Sequence, residues 1–354
     1  MNERLQRLQK LMTEKSLEAI LITHPVNRQY LSGFDGSNGA LLVGEKEAFL
    51  FTDFRYLEQA GKQAPHCELR PWKAGLGEAL KPVIEAAGWS SLAFEEEQVT
   101  YGLYRRLQDT LPLELTPEKG LVEELRAVKS SAEIESLREG AAVMDRAFDY
   151  LLELARPGMT EREVAVELEF FLRRQGSTGT RFSYIVASGE RGSLPHGIAS
   201  GKRLNAGELV TVDFTGTFGG YATDMTRTFA LGEPGPRARE IYEIVRRAQE
   251  EARERLEPGM SGIEADALAR NIIDEAGYGE YFGHGLGHGL GLEVHERPTL
   301  SPRSDDILAP GMVVTAEPGI YIPRWGGVRI EDMVLITSGG AESLTRCSRE
   351  LMII

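Results

Sequence analysis

The first third of the chain alternates between apolar runs typical of strands and amphipathic stretches typical of helices. Short apolar runs predict strands at 19–23, 39–43, 48–52 and 92–94. Apolar residues at helical spacing predict helices at the N-terminus and near 53–63, 76–87 and 100–110. This order of elements predicts a small α/β domain over residues 1–120.

A long helix opens the second part of the chain. Ser130 and Glu133 form a capping-box pattern. The apolar stripe that follows has helical spacing and comprises Ile134, Leu137, Ala141, Met144, Phe148, Leu151 and Leu152. We interpret this stripe as core. Residues 121–354 form the second predicted domain.

The second domain contains an internal repeat. Pro-Gly-Met-Thr at 157–160 recurs as Pro-Gly-Met-Ser at 258–261, each with a glutamate three residues later, and the copies are 101 residues apart. Further on, 206–213 resembles 310–317 at a spacing of 104 residues. Chance similarity around common turn signals is the alternative. A true repeat predicts a pseudo-twofold α+β domain in which Asp213 and Glu317 are equivalent.

Composition excludes several classes of function. The 354-residue chain carries 54 acidic and 40 basic residues, a formal charge of −14 that repels nucleic acid. We find no export signal and no apolar run long enough for a membrane helix, and the two cysteines form no disulfide framework. The sequence therefore predicts a cytoplasmic protein with no nucleic-acid or membrane partner.

A predicted hairpin carries two aspartates. The runs on either side of residues 218–219 indicate a turn with that pair at its tip, which would place Asp213 directly opposite Asp224. Like charges in that arrangement cost stability unless a cation lies between them. Two solvated aspartates are the alternative, and a bound metal ion is the sharper explanation.

Glycine occupies every second position from 283 to 291, and histidines lie among these glycines. So much glycine disfavours a helix and indicates extended or looped backbone that another group approaches closely. Alternation places His284 and His288 on one side, and His295 follows. Imidazole ligates metals and carries protons near pH 7, so we expect chemistry in this segment.

Two glutamates near the C-terminus gain weight from the repeat. Glu317 ends a predicted strand at the place equivalent to Asp213, and Glu331 shares one face of the next predicted strand with Arg329. Either glutamate alone would be typical of a solvated strand residue. His196 follows a glycine-rich loop and, taken alone, is more typical of a structural residue than of a catalytic one.

Together these residues suit a pair of divalent first-row ions. Four carboxylates and one imidazole can hold two such ions, with carboxylates and a hydroxide shared between them. Oxygen-rich ligation favours Mn²⁺, with Co²⁺, Fe²⁺ and Zn²⁺ as alternatives. A site of this kind is suited to hydrolysis.

The local sequences around these residues resemble the pita-bread metallopeptidases, and within them the proline-specific branch of aminopeptidase P and prolidase. The resemblance covers nearly all of 125–354 and rests on Val-Asp-Phe, Thr-Asp-Met-Thr-Arg-Thr, His-Gly-Leu-Gly-His, Glu-Pro-Gly-Ile-Tyr and Val-Arg-Ile-Glu-Asp. Residues 1–120 more loosely resemble a creatinase-type domain, for example in Phe-Asp-Gly-Ser-Asn-Gly at 34–39. The resemblance over the two parts of the chain implies an α+β protein, in which a smaller α/β creatinase-like domain is followed by a pseudo-twofold C-terminal pita-bread domain.

The resemblance also implies roles for individual residues. The metal ligands would be Asp213, Asp224, His288, Glu317 and Glu331. A hydroxide bridging the two ions would attack the carbonyl before proline, and Glu317 would handle the proton. His196 and His295 would contact the substrate and stabilise the tetrahedral intermediate. The substrate-binding positions would be His284, Tyr321 and Arg329, with Arg329 also supporting the acidic ligands.

The expected substrate is a peptide with proline at position two, cleaved at the Xaa-Pro bond. Prolidases hold the free carboxylate of a dipeptide with an arginine in the loop after the third histidine, but here Thr299 follows Pro298, with arginines at 297 and 303. We therefore expect an Xaa-Pro aminopeptidase, with an Xaa-Pro dipeptidase as the alternative. A non-catalytic binding module, a metal-free creatinase-like hydrolase and a methionine aminopeptidase are further alternatives. Relatives of this kind lead us to expect a homodimer.

Overall fold

Two compact units divide the chain, Met1–Arg126 and Ala127–Ile354. The computed structural model describes residues 2–73, 75–179 and 183–354. Within these ranges no helix combines the length and the apolar character that a membrane crossing requires.

The N-terminal unit is built on a six-stranded mixed sheet. Its strands are β1 Ala19–Ile22, β2 Ala40–Gly44, β3 Ala48–Thr52, β4 Glu68–Pro71, β5 Ser91–Glu95 and β6 Glu114–Glu118, in the order β4-β3-β2-β1-β5-β6. Its helices are α1 Glu3–Glu14, α2 Pro25–Ser32, α3 Leu57–Gln63, α4 Leu76–Ala87, α5 Tyr101–Thr110 and α6 Leu121–Ala127, the last of which ends at the boundary.

The predicted strands and helices of this unit are confirmed, but four elements escaped prediction, namely β4, β6, α2 and α6. Strands β4 and β6 form the two edges of the sheet and are largely exposed, so they lack the apolar runs that marked the other strands. Helix α2 is eight residues long and buries Asn27 and Arg28 beside its apolar residues, which removes the helical period from its sequence.

The C-terminal unit consists of two helix pairs and three antiparallel sheets. Its helices are α7 Ser131–Leu154, α8 Glu161–Arg174, α9 Pro236–Arg255 and α10 Gly262–Glu275. Its strands are β7 Ile185–Ser188, β8 Leu209–Phe218, β9 Tyr221–Ala230, β10 Gly287–Gly289, β11 Glu296–Leu300, β12 Val313–Ala316, β13 Gly319–Ile322, β14 Gly326–Arg329, β15 Asp332–Thr337 and β16 Gly340–Ser343. The sheets have the orders β7-β8-β9, β11-β10-β12-β15-β16 and β13-β14.

The internal repeat is confirmed by equivalent hydrogen bonds in the two halves. Helices α8 and α10 both begin with a capping box. In the turn before α8 the Gly158 N–H donates to the Leu204 carbonyl at 2.9 Å, and before α10 the Gly259 N–H donates to the Leu308 carbonyl at 2.8 Å. Each half also packs its own hydrophobic core between its helix pair and its strands. The domain is therefore pseudo-twofold, as the spacing of the repeat predicts.

The register of the hairpin β8-β9 differs from the prediction. The turn is the two-residue pair 219–220, both glycines with positive φ, which is typical of a type I′ turn. Asp213 therefore pairs with Thr226, and Asp224 pairs with Thr215. The prediction that the two aspartates lie directly opposite each other is wrong. They remain diagonal neighbours on one face of the sheet, because Thr215 and Asp213 are two residues apart.

The predicted strand through Arg329 and Glu331 is also divided in two. Strand β14 ends at Arg329 and pairs with β13, whereas β15 begins at Asp332 and pairs with β12 and β16. Glu331 lies in the gap between them. Glu317 lies in the corresponding gap between β12 and β13.

Candidate metal centre

The five predicted ligands lie on three strands of the C-terminal unit and in two gaps between its strands. Asp213 and Asp224 lie on the neighbouring strands β8 and β9, and His288 lies in β10. Glu317 and Glu331 lie where the chain leaves one sheet and enters the next. Both gaps are fixed by backbone hydrogen bonds, since the Glu317 N–H donates to Leu286 at 2.8 Å and the Glu331 N–H donates to Thr226 at 3.0 Å.

The ligand atoms of these residues lie close together. One oxygen of Asp224, one of Glu331 and one ring nitrogen of His288 lie within 4.8 Å of one another. The Nε2 atom of His288 is 4.0 Å from Asp224 Oδ2 and 3.3 Å from Glu317 Oε1. The charges of Asp213, Glu317 and His288 influence one another, so Asp213 belongs to the same cluster.

These residues fit a divalent cation. Asp224 Oδ1 and Glu331 Oε1 are buried and have no hydrogen-bond partner among the described residues. A buried carboxylate oxygen without a partner is costly unless a cation or donor satisfies it. The Nδ1 atom of His288 faces the Gly289 carbonyl at 3.0 Å, so in the neutral imidazole Nδ1 carries the proton and the Nε2 lone pair can bind a metal.

The charges of the cluster are poorly balanced without a cation. Burial and the nearby carboxylates raise the pKa of Asp224 and of Glu331 well above the ordinary value. Burial also raises the pKa of Asp213, although Arg329 opposes this effect. For Glu317, burial is outweighed by the hydrogen bond and charge of His288, which lower its pKa to about 2. Glu317 therefore stays ionised while its neighbours resist ionisation.

Arg329 connects several parts of the site from behind. Its Nη2 donates to Asp213 Oδ2 at 2.6 Å, and its Nη1 donates to the Tyr321 hydroxyl at 2.8 Å and to the Pro195 carbonyl at 3.1 Å. Its Nε donates to the Thr226 hydroxyl at 3.1 Å. The guanidinium is buried, so its planar set of donors fixes these groups relative to one another.

The glycines around His288 allow neighbouring strands to approach its backbone. A Cβ on Gly287 would overlap the Thr315 carbonyl oxygen, and a Cβ on Gly289 would overlap the Arg297 carbonyl. The expectation of extended backbone in close contact with another group is therefore confirmed for this strand. The contact places the imidazole of His288 beside Glu317.

His284 and Tyr321 continue the hydrogen bonds that begin at Arg329. His284 Nδ1 lies 2.8 Å from the Gly285 carbonyl and must be the donor there, so Nε2 accepts from the Tyr321 hydroxyl at 2.8 Å. Burial lowers the pKa of His284, which favours this neutral tautomer. Neither side chain belongs to the group of close ligand atoms.

His295 and His196 lie at the outer side of the cluster. Both residues are exposed, and the ring of His295 lies 4.3 Å from that of His288 between centroids. Partial burial, followed by the charges of His288 and His196, lowers the pKa of His295 and favours its neutral form. His196 directly follows Pro195, whose carbonyl is held by Arg329.

Sequence reasoning missed two threonines that contact the glutamates. The Thr226 hydroxyl donates to Glu331 Oε2 at 2.7 Å, and the Thr315 hydroxyl donates to Glu317 Oε1 at 3.1 Å. Thr226 lies two residues after Asp224, on the same face of β9, and Thr315 lies two residues before Glu317. Alternation along these strands was the signal that could have identified both.

The chain matches known proteins along nearly its whole length. Residues 135–338 match metallopeptidase family M24, and residues 4–128 match the creatinase/prolidase N-terminal domain. An Xaa-Pro dipeptidase of Pyrococcus furiosus is 40% identical over 99% of this chain and 100% of its own length. The structure of an Xaa-Pro dipeptidase from Bacillus anthracis has a TM-score of 0.97 at 46% identity, covering 99% of both chains. That of an X-Pro aminopeptidase from Thermotoga maritima has a TM-score of 0.91 at 38% identity, also covering 99% of both chains.

Proposed function

The chain belongs to metallopeptidase family M24, and we propose that it is an exopeptidase that hydrolyses the bond between an N-terminal residue and a following proline. The observation that carries this proposal is the cluster of four carboxylates and His288, in which two buried carboxylate oxygens have no partner in the described parts of the chain. The relatives named Xaa-Pro dipeptidase and X-Pro aminopeptidase support the choice of bond.

We propose that two divalent ions occupy this cluster. The residues that would hold them are Asp213, Asp224, His288, Glu317 and Glu331. Four carboxylates and one imidazole favour Mn²⁺, with Co²⁺ or Zn²⁺ as alternatives. Such ions, when bound, supply a water of lowered pKa as nucleophile and polarise the substrate carbonyl.

The protein's own residues would position the substrate and move protons. Glu317 would offer a carboxylate oxygen beside the ions, and this oxygen can accept the proton of the attacking water. His295 and His196 can donate hydrogen bonds to the oxygen that becomes negatively charged, because the lowered pKa of His295 leaves it neutral. The proline nitrogen carries no N–H, so the chemistry requires no donor at the scissile nitrogen.

We further propose that the enzyme accepts peptides longer than two residues, which makes it an Xaa-Pro aminopeptidase. Thr299 pairs with His288 across strands β10 and β11, so the two side chains share one face of the sheet. Threonine at this position offers no cation for the free carboxylate of a dipeptide. Arg297 donates to the carboxylate of Asp306 instead.

An Xaa-Pro dipeptidase is the second candidate, and the names of the relatives favour it. The Pyrococcus furiosus relative and the Bacillus anthracis structure both carry that name and match the whole chain. Arg297 is half exposed on the strand that carries Thr299, so its guanidinium is accessible to an anionic substrate group.

Steady-state kinetics on Ala-Pro, Ala-Pro-Gly and a longer Ala-Pro peptide separate the two candidates. The aminopeptidase proposal predicts a kcat/KM for the longer peptides at least equal to that for Ala-Pro, and activity confined to Ala-Pro would contradict it. Thr299→Arg should shift the preference toward Ala-Pro by about 10- to 150-fold, because a charge-assisted hydrogen bond contributes about 1.5–3 kcal/mol. Thr299→Gln adds similar length without charge and serves as the matched control.

We also propose that the enzyme works in the cytoplasm as a homodimer. The two free cysteines support a reducing compartment, and the resemblance to the proline-specific peptidases supports a homodimer. Light scattering on the purified chain, whose mass is 39.1 kDa, tests the second. A scattering mass of one chain would contradict it.

A further inference from the structure

Thr226 joins the buried arginine of the site to one of the glutamates. Thr226 is fully buried, and its hydroxyl lies 3.1 Å from Arg329 Nε and 2.7 Å from Glu331 Oε2. Its backbone carbonyl also accepts the Glu331 N–H at 3.0 Å. Glu331 is therefore held by Thr226 through both backbone and side chain.

The chemistry of the neighbours fixes the direction of the Thr226 hydroxyl. A guanidinium N–H can only donate, so Arg329 occupies a lone pair of the hydroxyl oxygen. The single hydroxyl proton then points to Glu331 Oε2, which must act as an acceptor. This arrangement leaves Oε1, which is buried and has no hydrogen-bond partner in the described ranges, as the oxygen available to a cation.

Thr315 repeats this arrangement at the other glutamate. The backbone N–H of His288 donates to the Thr315 hydroxyl at 3.1 Å, and that hydroxyl donates to Glu317 Oε1 at 3.1 Å. Each threonine hydroxyl therefore accepts a hydrogen bond from a group that can only donate, and it donates its own proton to a carboxylate. The recurrence at both gaps between strands indicates a shared purpose.

We infer that Thr226 is a positioning residue of the metal centre, which aims one oxygen of Glu331 at the metal by holding the other. The inference rests on the proposed metallopeptidase function. Partners that orient a metal ligand typically change metal affinity by about 10–100-fold when they are removed. Thr226→Val removes the hydroxyl with little change of shape, so we expect a loss of affinity of that size.

The test is a calorimetric titration of the full-length, metal-stripped chain with Mn²⁺, in the absence of peptide. Thr226→Val should bind Mn²⁺ about 10–100-fold more weakly than the natural chain, and Thr226→Ser, which keeps the hydroxyl, should bind within about 3-fold of it. Thr211→Val is the matched control, because Thr211 is also buried on the same sheet and its hydroxyl lies 2.9 Å from that of Thr228. Its Mn²⁺ affinity should be unchanged.

Equal Mn²⁺ affinity in Thr226→Val and the natural chain would overturn the inference, as would an equal loss in Thr211→Val. Circular dichroism checks that each variant is folded, and Thr226→Ala replaces Thr226→Val if the latter does not fold. Peptide hydrolysis is measured separately. A chain that binds Mn²⁺ in the expected order of variants but cleaves no Xaa-Pro peptide would refute the proposed substrate and leave the role of Thr226 intact.

Discussion

Glu331 and Asp332 are neighbours in sequence, and both are almost fully buried, yet their surroundings are opposite. Burial and the nearby carboxylates raise the pKa of Glu331 well above its ordinary value. The pKa of Asp332 falls to about 2, because Arg227 and Arg349 outweigh the effect of burial. The protein places two arginines beside Asp332, whereas it places mainly other carboxylates around Glu331.

The donors around Asp332 form a closed set. Its carboxylate accepts from Arg227 and Gln249 at 2.7 Å each, from the Thr345 hydroxyl at 2.7 Å, and from Arg349. Around Glu331, by contrast, four carboxylates share Arg329 as their buried guanidinium partner.

The contrast between these two carboxylates indicates which of them needs a bound cation. A buried ion cluster whose charges are satisfied within the protein serves the fold, whereas one that lacks positive charge is stable only when cations enter from outside. The cluster around Glu331 and the cluster around Asp332 can be adjacent, because the side chains of successive residues in extended backbone point to opposite sides. Substitutions at these two positions should therefore affect different properties.

Asp332→Asn should give the largest effect, on stability. It leaves the buried Arg227 and the partly exposed Arg349 without their anion, so we expect a loss of about 3–5 kcal/mol in the free energy of unfolding. Urea denaturation of the metal-stripped chain measures it. Glu169→Gln is the control, because its pair with Arg173 on α8 is exposed and contributes at most about 0.5 kcal/mol. Similar losses in the two variants would remove the distinction.

Glu331→Gln should instead affect activity. We expect kcat/KM on an Xaa-Pro peptide to fall at least about 100-fold, because a direct metal ligand is lost. The metal-stripped variant should be at least as stable as the natural chain, since a buried group with a strongly raised pKa is replaced by a neutral one. A variant that keeps full activity, or that unfolds as readily as Asp332→Asn, would break the comparison.

Metal loading should stabilise the natural chain by a smaller amount per ion. At a free Mn²⁺ concentration about 100-fold above its Kd, each ion bound to the folded state adds about 2.7 kcal/mol. Asp332→Asn should keep most of this gain, and Glu331→Gln should lose most of it. Thermal unfolding with and without Mn²⁺ measures both, and an equal gain in the two variants would contradict the separation of roles.

The pH dependence of the metal-stripped chain should show the smallest effect. The pKa of Asp332 is lowered in the folded state, so its contribution is present above pH 4 and is lost as pH falls toward 2, by an amount on the order of 2 kcal/mol. The pKa values of Asp224 and Glu331 are raised, so their effect has the opposite sign and stability falls as pH rises above 4. Bound Mn²⁺ should abolish only the second trend, which is the loss of stability as pH rises above 4. Denaturation at pH 2 to 8 checks this. The lowered pKa of Glu317 adds a loss of the same sign at low pH, so Asp332→Asn should weaken the first trend, and a first trend of unchanged size in Asp332→Asn would contradict the assignment.

Much of the site could be predicted because its residues carry strong local signals. The repeat paired Asp213 with Glu317, and the alternating glycines marked the segment of His288. The hairpin register could not be predicted, because a one-residue difference in the position of the turn changes every pair. The gap at Glu331 could not be predicted either, since no glycine or proline lies between Val328 and Leu335 to mark a break, although the two parts of this segment pair with different partners.

The supporting residues were harder to predict than the ligands. Asp332 and Arg227 gave no signal of their own, because a buried ion cluster depends on residues more than 100 positions apart, such as Arg227 and Asp332 themselves. Thr226 and Thr315 resemble ordinary strand residues in the sequence. Their roles depend on which atoms face them, and only the structure supplies that information.

The most direct test of the central claim is a titration of the metal-stripped chain with Mn²⁺, in which bound ions per chain and hydrolysis of an Xaa-Pro peptide are measured in the same samples. We expect two bound ions per chain. Hydrolysis should be absent before Mn²⁺ is added and should rise as the ions bind. Full hydrolysis by the metal-stripped chain, or two bound ions with no hydrolysis of any Xaa-Pro peptide, would contradict it.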